Sequence, residues 1–228
     1  MYSPEELFLA VTWCREHRIH LICDEIYALS VFENEKSVDG SFKSVAALLN
    51  NQLGDYVHIL WGLSKDLGGS GLRVGVLYSH NAALKSAMQA YNSINQVSNV
   101  MQEIAANVLS DSTFFEKFRL ENSARIKASY ELLTSGLTRL GVPFYHARAG
   151  IFLFADLRRL LREDSFEAES ELHVALVEQA RWSLTPGGAC HHPTPGYFRL
   201  CYCWVDKDAI EECLHRLDVY MLYMSNLL

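Results

Sequence analysis

Apolar residues near the start of the chain recur at helical spacing and then give way to a continuous apolar run. Leu7, Val11 and Cys14 fall on one face of a helix predicted over residues 4–17. A Ser-Pro-Glu-Glu sequence at its start supplies a capping hydroxyl, a proline at the first helical position and a reciprocal carboxylate. The apolar run over residues 19–23 predicts a buried strand that ends at an acidic residue.

The same patterning predicts strands and helices along the rest of the chain. Further strands are predicted over residues 57–61, 74–78, 144–146, 151–155 and 197–204. Helices are predicted over residues 45–50, 81–110, 113–139, 166–181 and 208–225, and the rest of the polar stretch 30–56 is expected to be irregular. The apolar positions of the region 81–110 are interpreted as core; they are Leu84, Met88, Tyr91, Ile104 and Leu109.

The order of these elements predicts an α/β region followed by a smaller α+β region. We expect one domain over residues 1–115 and a second over residues 116–228, reached through the long helix. Side chains that bind ligands in α/β sheets lie at the carboxyl ends of the strands. Because only about three strands fall in the first region, we expect one open sheet edge and one uncovered apolar face.

Composition and charge exclude several classes of protein. Half of the 228 residues are hydrophobic, which predicts a globular chain, and the net charge of −7 argues against binding to nucleic acid or to an anionic membrane surface. No run approaches the roughly 18–20 apolar residues of a membrane helix. The start lacks the basic and apolar regions of a signal peptide. The six cysteines form no Cys-x-x-Cys pair, so they are interpreted as reduced, which suits the cytoplasm.

A cysteine and two histidines in succession, Cys190, His191 and His192, raise the question of a metal site. No second cluster of ligands stands at the spacing of a zinc site, and a histidine in a loop is usually solvated. The sequence is therefore interpreted as having no metal centre.

Five side chains supply the groups needed to hold pyridoxal phosphate and an amino-acid carboxylate: Asp24, Tyr27, Lys65, Arg73 and Arg199. A lysine amine forms a Schiff base with an aldehyde, and a carboxylate keeps the pyridine nitrogen protonated. A tyrosine hydroxyl can bond the cofactor's phenolic oxygen, while planar guanidinium groups bind phosphate and carboxylate.

Each of these features alone has an ordinary structural explanation. An aspartate after a strand usually caps a turn or a helix, as Asp24 would, and a lone lysine is usually a solvated charge. The glycine-rich stretch 68–71 does not match a nucleotide-binding pattern, and Arg199 could serve a structural ion pair. It is the joint occurrence in this order that favours the cofactor site.

The stretches around these residues resemble the fold-type I pyridoxal-phosphate enzymes, the aspartate aminotransferase superfamily. Within it the chain is most similar to 1-aminocyclopropane-1-carboxylate synthases and their animal synthase-like relatives. The resemblance rests on residues 21–27, 63–68, 72–75, 149–152, 186–187 and 195–200. It implies part of the three-layer α/β/α large domain of that fold, followed by the small α+β domain. It also implies that the chain is the carboxyl-terminal half of a longer protein or a truncated isoform, and that the enzyme is a homodimer.

The resemblance also assigns roles to individual residues. Lys65 would bond covalently to the cofactor's aldehyde, Asp24 would pair with the pyridine nitrogen, and Tyr27 would bond the phenolic oxygen. Ser64 and Arg73 would bind the phosphate. Arg199 would bind the carboxylate of the substrate.

Two positions depart from the family pattern. Gly62 stands where the family usually has a serine that binds phosphate, and residues 183–187 read Ser-Leu-Thr-Pro-Gly where Asn-x-Ser-Pro-Gly is usual. The resemblance implies a synthase that cyclises a substrate of the S-adenosylmethionine type. An aminotransferase, a C–S lyase, or a catalytically inactive remnant that acts by binding only are the alternatives.

Overall fold

The computed structural model describes residues 2–32 and 42–225, and this part of the chain forms two compact units. The first unit ends at Ser123 and the second begins at Ala124. The division falls inside helix α6 (Ser112–Arg139), which continues from one unit into the other. The domain boundary predicted at residues 115 and 116 falls in the same helix.

The first unit contains a three-stranded sheet and six helices, counting α6, among its described residues. The strands are β1 (Leu21–Asp24), β2 (Val57–Gly62) and β3 (Gly75–Ser79). The helices before α6 are α1 (Pro4–Glu16), α2 (Val45–Leu48), α3 (Leu63–Asp66), α4 (Ala82–Asn95) and α5 (Asn99–Ser110). A 3₁₀ turn spans Ser70–Leu72. The predicted capping box of α1 is present: Ser3 Oγ accepts the Glu6 N–H at 3.2 Å, and Glu6 Oε2 accepts the Ser3 N–H at 2.8 Å.

The strands of the first sheet lie in the order β1-β2-β3. Strands β1 and β2 are parallel, with Asp24 opposite Leu60, whereas β3 runs antiparallel to β2 with Gly75 opposite Gly62. The carboxyl ends of β1 and β2 and the start of β3 therefore meet at one edge of the sheet. This arrangement determines which loops lie side by side in the candidate site.

Among the described residues, the apolar core of the first unit covers one face of this sheet. Val57 and Ile59 of β2 pack with Val11 of α1 and with Val45 and Leu49. On the opposite face, Ile22 is 59% exposed and Leu60 is 39% exposed. The expectation of an uncovered apolar face is thus confirmed for the described residues.

Helices α4 and α5 correct one expectation from the sequence. Their apolar positions were interpreted as core, yet α4 has no buried residue and Ala105 is the buried residue of α5. Tyr91 is 60% exposed and Ile94 is 85% exposed. Amphipathic spacing indicates that a helix has an apolar face, but it does not indicate whether anything packs against that face.

The second unit combines a three-stranded antiparallel sheet with helices. Strand β6 (Tyr197–Cys201) lies between β4 (Phe152–Asp156) and the two-residue β5 (Thr185–Pro186). Its helices are the later part of α6, α7 (Phe166–Glu178) and α8 (Lys207–Ser225). Leu153, Ala155, Phe198 and Leu200 on one face of the sheet are at most 3% exposed.

Helices α6 and α8 approach each other closely because a glycine stands at the contact. A Cβ built on Gly136 would lie 2.2 Å from Leu214 Cδ1, a distance that no real pair of carbon atoms adopts. Leu137 and Leu217, next to this contact in sequence, are both fully buried. The glycine thus allows α6 and α8 of the second unit to pack tightly at this contact.

Several predicted boundaries differ from the structure. Residues 144–146 do not form a strand, since they contribute one isolated bridge between Phe144 and Ala155. The predicted strand 197–204 ends at Cys201, and the helix predicted to residue 181 ends at Glu178. The region 81–110 is two helices rather than one. The short strand β5 was not predicted, because two residues give no periodic signal. Part of the irregular stretch 30–56 lies outside the described residues.

Among the described residues, no helix combines the length and the apolar character that crossing a membrane would require. All six cysteines have free thiols.

Candidate functional site

Four of the six candidate residues lie at or near one edge of the first sheet: Asp24, Ser64, Lys65 and Arg73. Asp24 ends β1, and Lys65 follows the end of the neighbouring parallel strand β2 by three residues. Arg73 precedes the start of β3, which pairs with the end of β2. The Leu63 N–H donates to the Val74 carbonyl at 3.1 Å, which ties the turn before Lys65 to the segment after Arg73.

A tight turn carries Asp24 and Tyr27 away from β1. Asp24 Oδ1 accepts the Ile26 N–H at 3.1 Å, and the Glu25 N–H donates to the Leu60 carbonyl at 2.9 Å. The Ser30 N–H donates to the Tyr27 carbonyl at 3.0 Å. Asp24 is exposed and Tyr27 is half-buried. The structure thus leaves the Asp24 carboxylate accessible while its backbone is fixed.

Lys65 stands on the one-turn helix α3, whose first residue Leu63 is 1% exposed. Lys65 is exposed and Ser64 is half-buried. The ends of the helix are fixed by backbone hydrogen bonds, since the Gly69 N–H donates to the Leu63 carbonyl at 2.9 Å. An accessible amine on a fixed turn suits a nucleophile that must meet an aldehyde.

Gly62 is explained by the close approach of two strands. A Cβ at this position would lie 2.8 Å from the Val74 carbonyl oxygen and 3.4 Å from Ile26 Cδ1. Because the nearest atom belongs to the backbone, a serine here would require the turn after β2 to shift. Gly62 therefore allows the close approach of the end of β2 to the segment before β3.

Arg73 has a backbone conformation that is uncommon for a residue with a side chain. Its φ of 55° lies in the left-handed region, at the end of the 3₁₀ turn Ser70–Leu72. The exposed guanidinium donates from Nη1 to the Ser70 carbonyl at 3.1 Å. Non-glycine residues in this region often occur at functional sites, where the surrounding structure holds them in place.

Arg199 belongs to the second unit, on the central strand β6. Its Cζ lies 4.5 Å from the centre of the Phe152 ring. Its Nε is buried and has no hydrogen-bond partner among the described residues. A buried guanidinium nitrogen without a partner is costly, so this atom is one that an anionic ligand would satisfy.

The loop before Arg199 is held by a buried carboxylate that sequence reasoning missed. Glu169 of α7 is 2% exposed. Its Oε1 accepts the Gly188 N–H at 2.9 Å, and its Oε2 accepts the Gly196 N–H at 2.6 Å. In the same loop the His192 ring stacks on Tyr197 at 4.1 Å between ring centres. In the sequence, the signal that could have revealed Glu169 was an acidic residue on the apolar face of a predicted helix.

Sequence reasoning also missed a buried carboxylate beside the candidate lysine. Asp66 is 1% exposed and accepts hydrogen bonds from three groups of the first unit: the Leu29 N–H, the Ser30 hydroxyl and the Trp61 indole N–H. The signal in the sequence was an acidic residue between Lys65 and the apolar Leu67.

The thiol next to Asp24 does not compete for an aldehyde. Burial, with a smaller contribution from the charge of Glu25, raises the pKa of Cys23 to about 11. The thiol is therefore protonated at neutral pH, and a protonated thiol is a weak nucleophile. Lys65, by contrast, is exposed at this edge of the sheet.

The sequence matches a known family over nearly its whole length. Residues 1–217 match the family model described as aminotransferase class I and II. The chain belongs to the class I and II aminotransferase family. The resemblance that the motifs indicated is confirmed at this level.

Two curated members show how much of a relative the chain represents. It is 38% identical over 221 residues to 1-aminocyclopropane-1-carboxylate synthase 2 of Oryza sativa subsp. japonica, covering 95% of this chain and 45% of the rice protein. It is 34% identical over 223 residues to 1-aminocyclopropane-1-carboxylate synthase 1 of Cucurbita pepo, covering 96% of this chain and 44% of that protein. The chain spans somewhat less than half the length of these relatives.

Solved structures confirm the fold class. The aromatic aminotransferase of Pyrococcus horikoshii OT3 matches with a TM-score of 0.82 at 20% identity, covering 100% of this chain and 57% of that one. A double mutant of the aspartate aminotransferase of Thermus thermophilus matches with a TM-score of 0.81 at 20% identity, covering 96% of this chain and 52% of that one. At this identity the likeness shows the mixed α/β fold alone.

Proposed function

We propose that the protein is a pyridoxal-phosphate enzyme that acts on an α-amino acid, with the cyclising reaction of a 1-aminocyclopropane-1-carboxylate synthase as its activity. The observation that carries the proposal is the meeting of Asp24, Lys65 and Arg73 at one edge of the first sheet. Relatives named as such synthases are 34% to 38% identical over most of the chain.

The residues present fit this cofactor. Asp24 and Lys65 are exposed at adjacent strand ends, as a pyridine nitrogen and an aldehyde of one ring would require. The exposed Arg73 guanidinium is near the same edge and can bind a phosphate with its planar donors. Ser64 adds a half-buried hydroxyl beside the lysine. The set therefore supplies a nucleophile, an acid partner and anion donors together.

Pyridoxal phosphate, when bound, supplies an electron sink for a carbanion at the substrate's Cα. The Lys65 amine would hold the cofactor through its aldehyde and, once the substrate's amine has replaced it there, would accept the Cα proton as a base. The Asp24 carboxylate would hold a proton on the ring nitrogen, and the Tyr27 hydroxyl would donate to the phenolic oxygen. Arg73 and Ser64 would hold the phosphate.

Arg199 would hold the α-carboxylate of the substrate. The unpartnered Nε supports this role, because a carboxylate would complete the hydrogen bonds of the guanidinium. A substrate with a sulfonium leaving group at Cγ, as in S-adenosylmethionine, would close to a cyclopropane after Cα loses its proton. Amino-group transfer and C–S cleavage are the alternative outcomes for the same residues. A homodimer and a cytoplasmic location remain predictions.

Absorbance and covalent trapping test the proposal. Purified protein is mixed with pyridoxal phosphate, its visible spectrum is recorded, and borohydride reduction is followed by peptide mapping. We expect a visible band and cofactor fixed on Lys65. The Lys65→Arg variant should lose both, whereas Lys85→Arg, a change of an exposed lysine on α4, should lose neither. Scattered modification of surface lysines without a band would contradict the proposal.

A protein that acts by binding only is the second candidate. The observation that favours it is the uncovered apolar face at Ile22 and Leu60, in a chain that spans less than half the length of its relatives. This candidate predicts that Lys65 traps no cofactor. If Lys65 is trapped instead, amino-acid substrates should be screened next.

A further inference from the structure

Asp66 is a buried carboxylate whose two oxygen atoms are both used by neighbouring groups. Its Oδ2 accepts the Leu29 N–H at 2.9 Å and the Trp61 indole N–H at 3.0 Å, while its Oδ1 accepts the Ser30 hydroxyl at 2.7 Å. Asp66 is 1% exposed. All three donors are neutral groups, and together they give both oxygen atoms of the carboxyl group hydrogen-bond partners.

The donors come from two different parts of the first unit. Leu29 and Ser30 end the turn that leaves β1 and carries Tyr27, and the Ser30 N–H donates to the Tyr27 carbonyl at 3.0 Å. Trp61 lies near the end of β2. Asp66 follows Lys65 directly on helix α3. The carboxylate therefore bridges the turn that carries Tyr27 and the turn that carries Lys65.

A buried charge in this place has a clear cost. Removing a carboxylate from water is unfavourable unless hydrogen bonds replace those of the solvent, and an apolar residue would avoid that cost. Networks of this kind fix one arrangement of the groups that they join, because the donors and the acceptor must all keep their places. The arrangement fixed here is the relative position of two turns of the candidate site.

We propose that Asp66 is a positioning residue that locks the Lys65 turn to the Tyr27 turn and so holds the amine in reach of the cofactor's aldehyde. The consequence for the cofactor rests on the proposed function, whereas the locking of the two turns does not. A positioning role predicts that loss of the carboxylate loosens both turns together. It also predicts that pyridoxal phosphate no longer reacts with Lys65 in preference to other lysines.

The test compares three variants of the whole chain. Asp66→Ala removes every acceptor. Asp66→Asn keeps the shape, since its amide oxygen can accept from Leu29 and Trp61 while its NH₂ group donates to the Ser30 hydroxyl oxygen. Asp55→Ala, at an exposed position in another loop, is the matched control. Amide hydrogen exchange without cofactor and borohydride trapping with pyridoxal phosphate are measured on each.

We expect Asp66→Ala to accelerate exchange of the Leu29 and Ser30 amides and also of the Gly68 and Gly69 amides, each on the order of tenfold or more. Trapping of pyridoxal phosphate at Lys65 relative to Lys85 should fall by a similar factor. Asp66→Asn and the Asp55 control should stay close to the unchanged protein in both measurements.

Two results would overturn the inference. One is faster exchange at Leu29 and Ser30 with no change at Gly68 and Gly69, because Asp66 would then support only its own contact. The other is an unchanged ratio of trapping at Lys65 to trapping at Lys85 in an Asp66→Ala variant whose two turns have both loosened. If the unchanged protein traps no cofactor at Lys65, the proposed function fails, and the exchange measurement still decides whether Asp66 locks the turns.

Should Asp66→Ala fail to fold, the single-donor variants Ser30→Ala and Trp61→Phe replace it. Each removes one hydrogen bond and leaves the carboxylate in place. Faster exchange at Gly68 and Gly69 in either variant supports the lock, and unchanged exchange in both contradicts it.

Discussion

The two compact units cover their sheets differently. In the second unit, Phe198 and Leu200 of the central strand are at most 1% exposed, and Leu217 of α8 is fully buried. Among the described residues of the first unit, one sheet face has a core and the opposite face leaves Ile22 59% exposed. The candidate cofactor site thus lies in the unit with the less complete packing, where a few polar contacts must fix the turns.

This difference shows that helices, strands and turns can form where few apolar side chains are buried. The first unit forms its sheet, its caps and its turns although α4 and α5 bury almost nothing. Hydrogen bonds within helices and between paired strands explain the local order. Burial of apolar surface is the larger source of stability, so we expect the first unit to be the less stable one.

The largest expected effect is in amide hydrogen exchange. Amides of α7 and α8 should exchange slower than those of α4 and α5 by on the order of a hundredfold or more, because exchange from poorly packed helices needs only local opening. Exchange measured by mass spectrometry on the whole chain gives both rates in one sample. Equal exchange rates in α4 and α8 would contradict the expectation that the first unit is the less stable one.

Core truncation should give the next largest difference. Leu217→Ala, at a fully buried position, should lower the free energy of unfolding by about 2–5 kcal/mol. Ile94→Ala, at a position that is 85% exposed, should change it by less than about 0.5 kcal/mol. Urea unfolding followed by circular dichroism measures both. A large loss in Ile94→Ala would show that the face of α4 is covered in solution.

The smallest expected effect is a pH dependence that comes from the first unit. His58 is 2% exposed, its Nε2 lies 2.8 Å from His20 Nδ1, and its Nδ1 lies 2.8 Å from Ser79 Oγ. Burial, and to a smaller extent the charge of His20, lowers the pKa of His58. The unfolded chain therefore binds a proton first as the pH falls through about 6.5.

The contribution of His58 to the free energy of unfolding is therefore fully present above about pH 6.5 and is lost as the pH falls toward the lowered pKa. The slope cannot exceed about 1.4 kcal/mol per pH unit for one proton. Urea unfolding between pH 8 and pH 5 should show the loss in the unchanged protein and a smaller loss in His58→Gln. His80→Gln, at an exposed position, should keep the slope of the unchanged protein. The same slope in all three proteins would exclude His58 as its source.

Much of the fold could be predicted because the signals are local. The capping residues of α1 predicted its start, and the apolar run before Asp24 predicted β1. The candidate residues could be named because their order and spacing along the chain resemble those of a family that this sequence matches over residues 1–217. The trapping experiment tests the roles proposed for these residues.

The sequence by itself determined the order of most helices and strands, the family and the set of candidate side chains. Only the tertiary structure decided which apolar faces are covered, since amphipathic spacing in α4 is the same whether or not a partner packs there. It also decided that a glycine is needed at position 62, because a Cβ there would lie 2.8 Å from the Val74 carbonyl oxygen. The burial of Asp66 between two turns is likewise a result of the tertiary structure. Contacts between residues distant in sequence depend on how strands pair, and no local pattern specifies them.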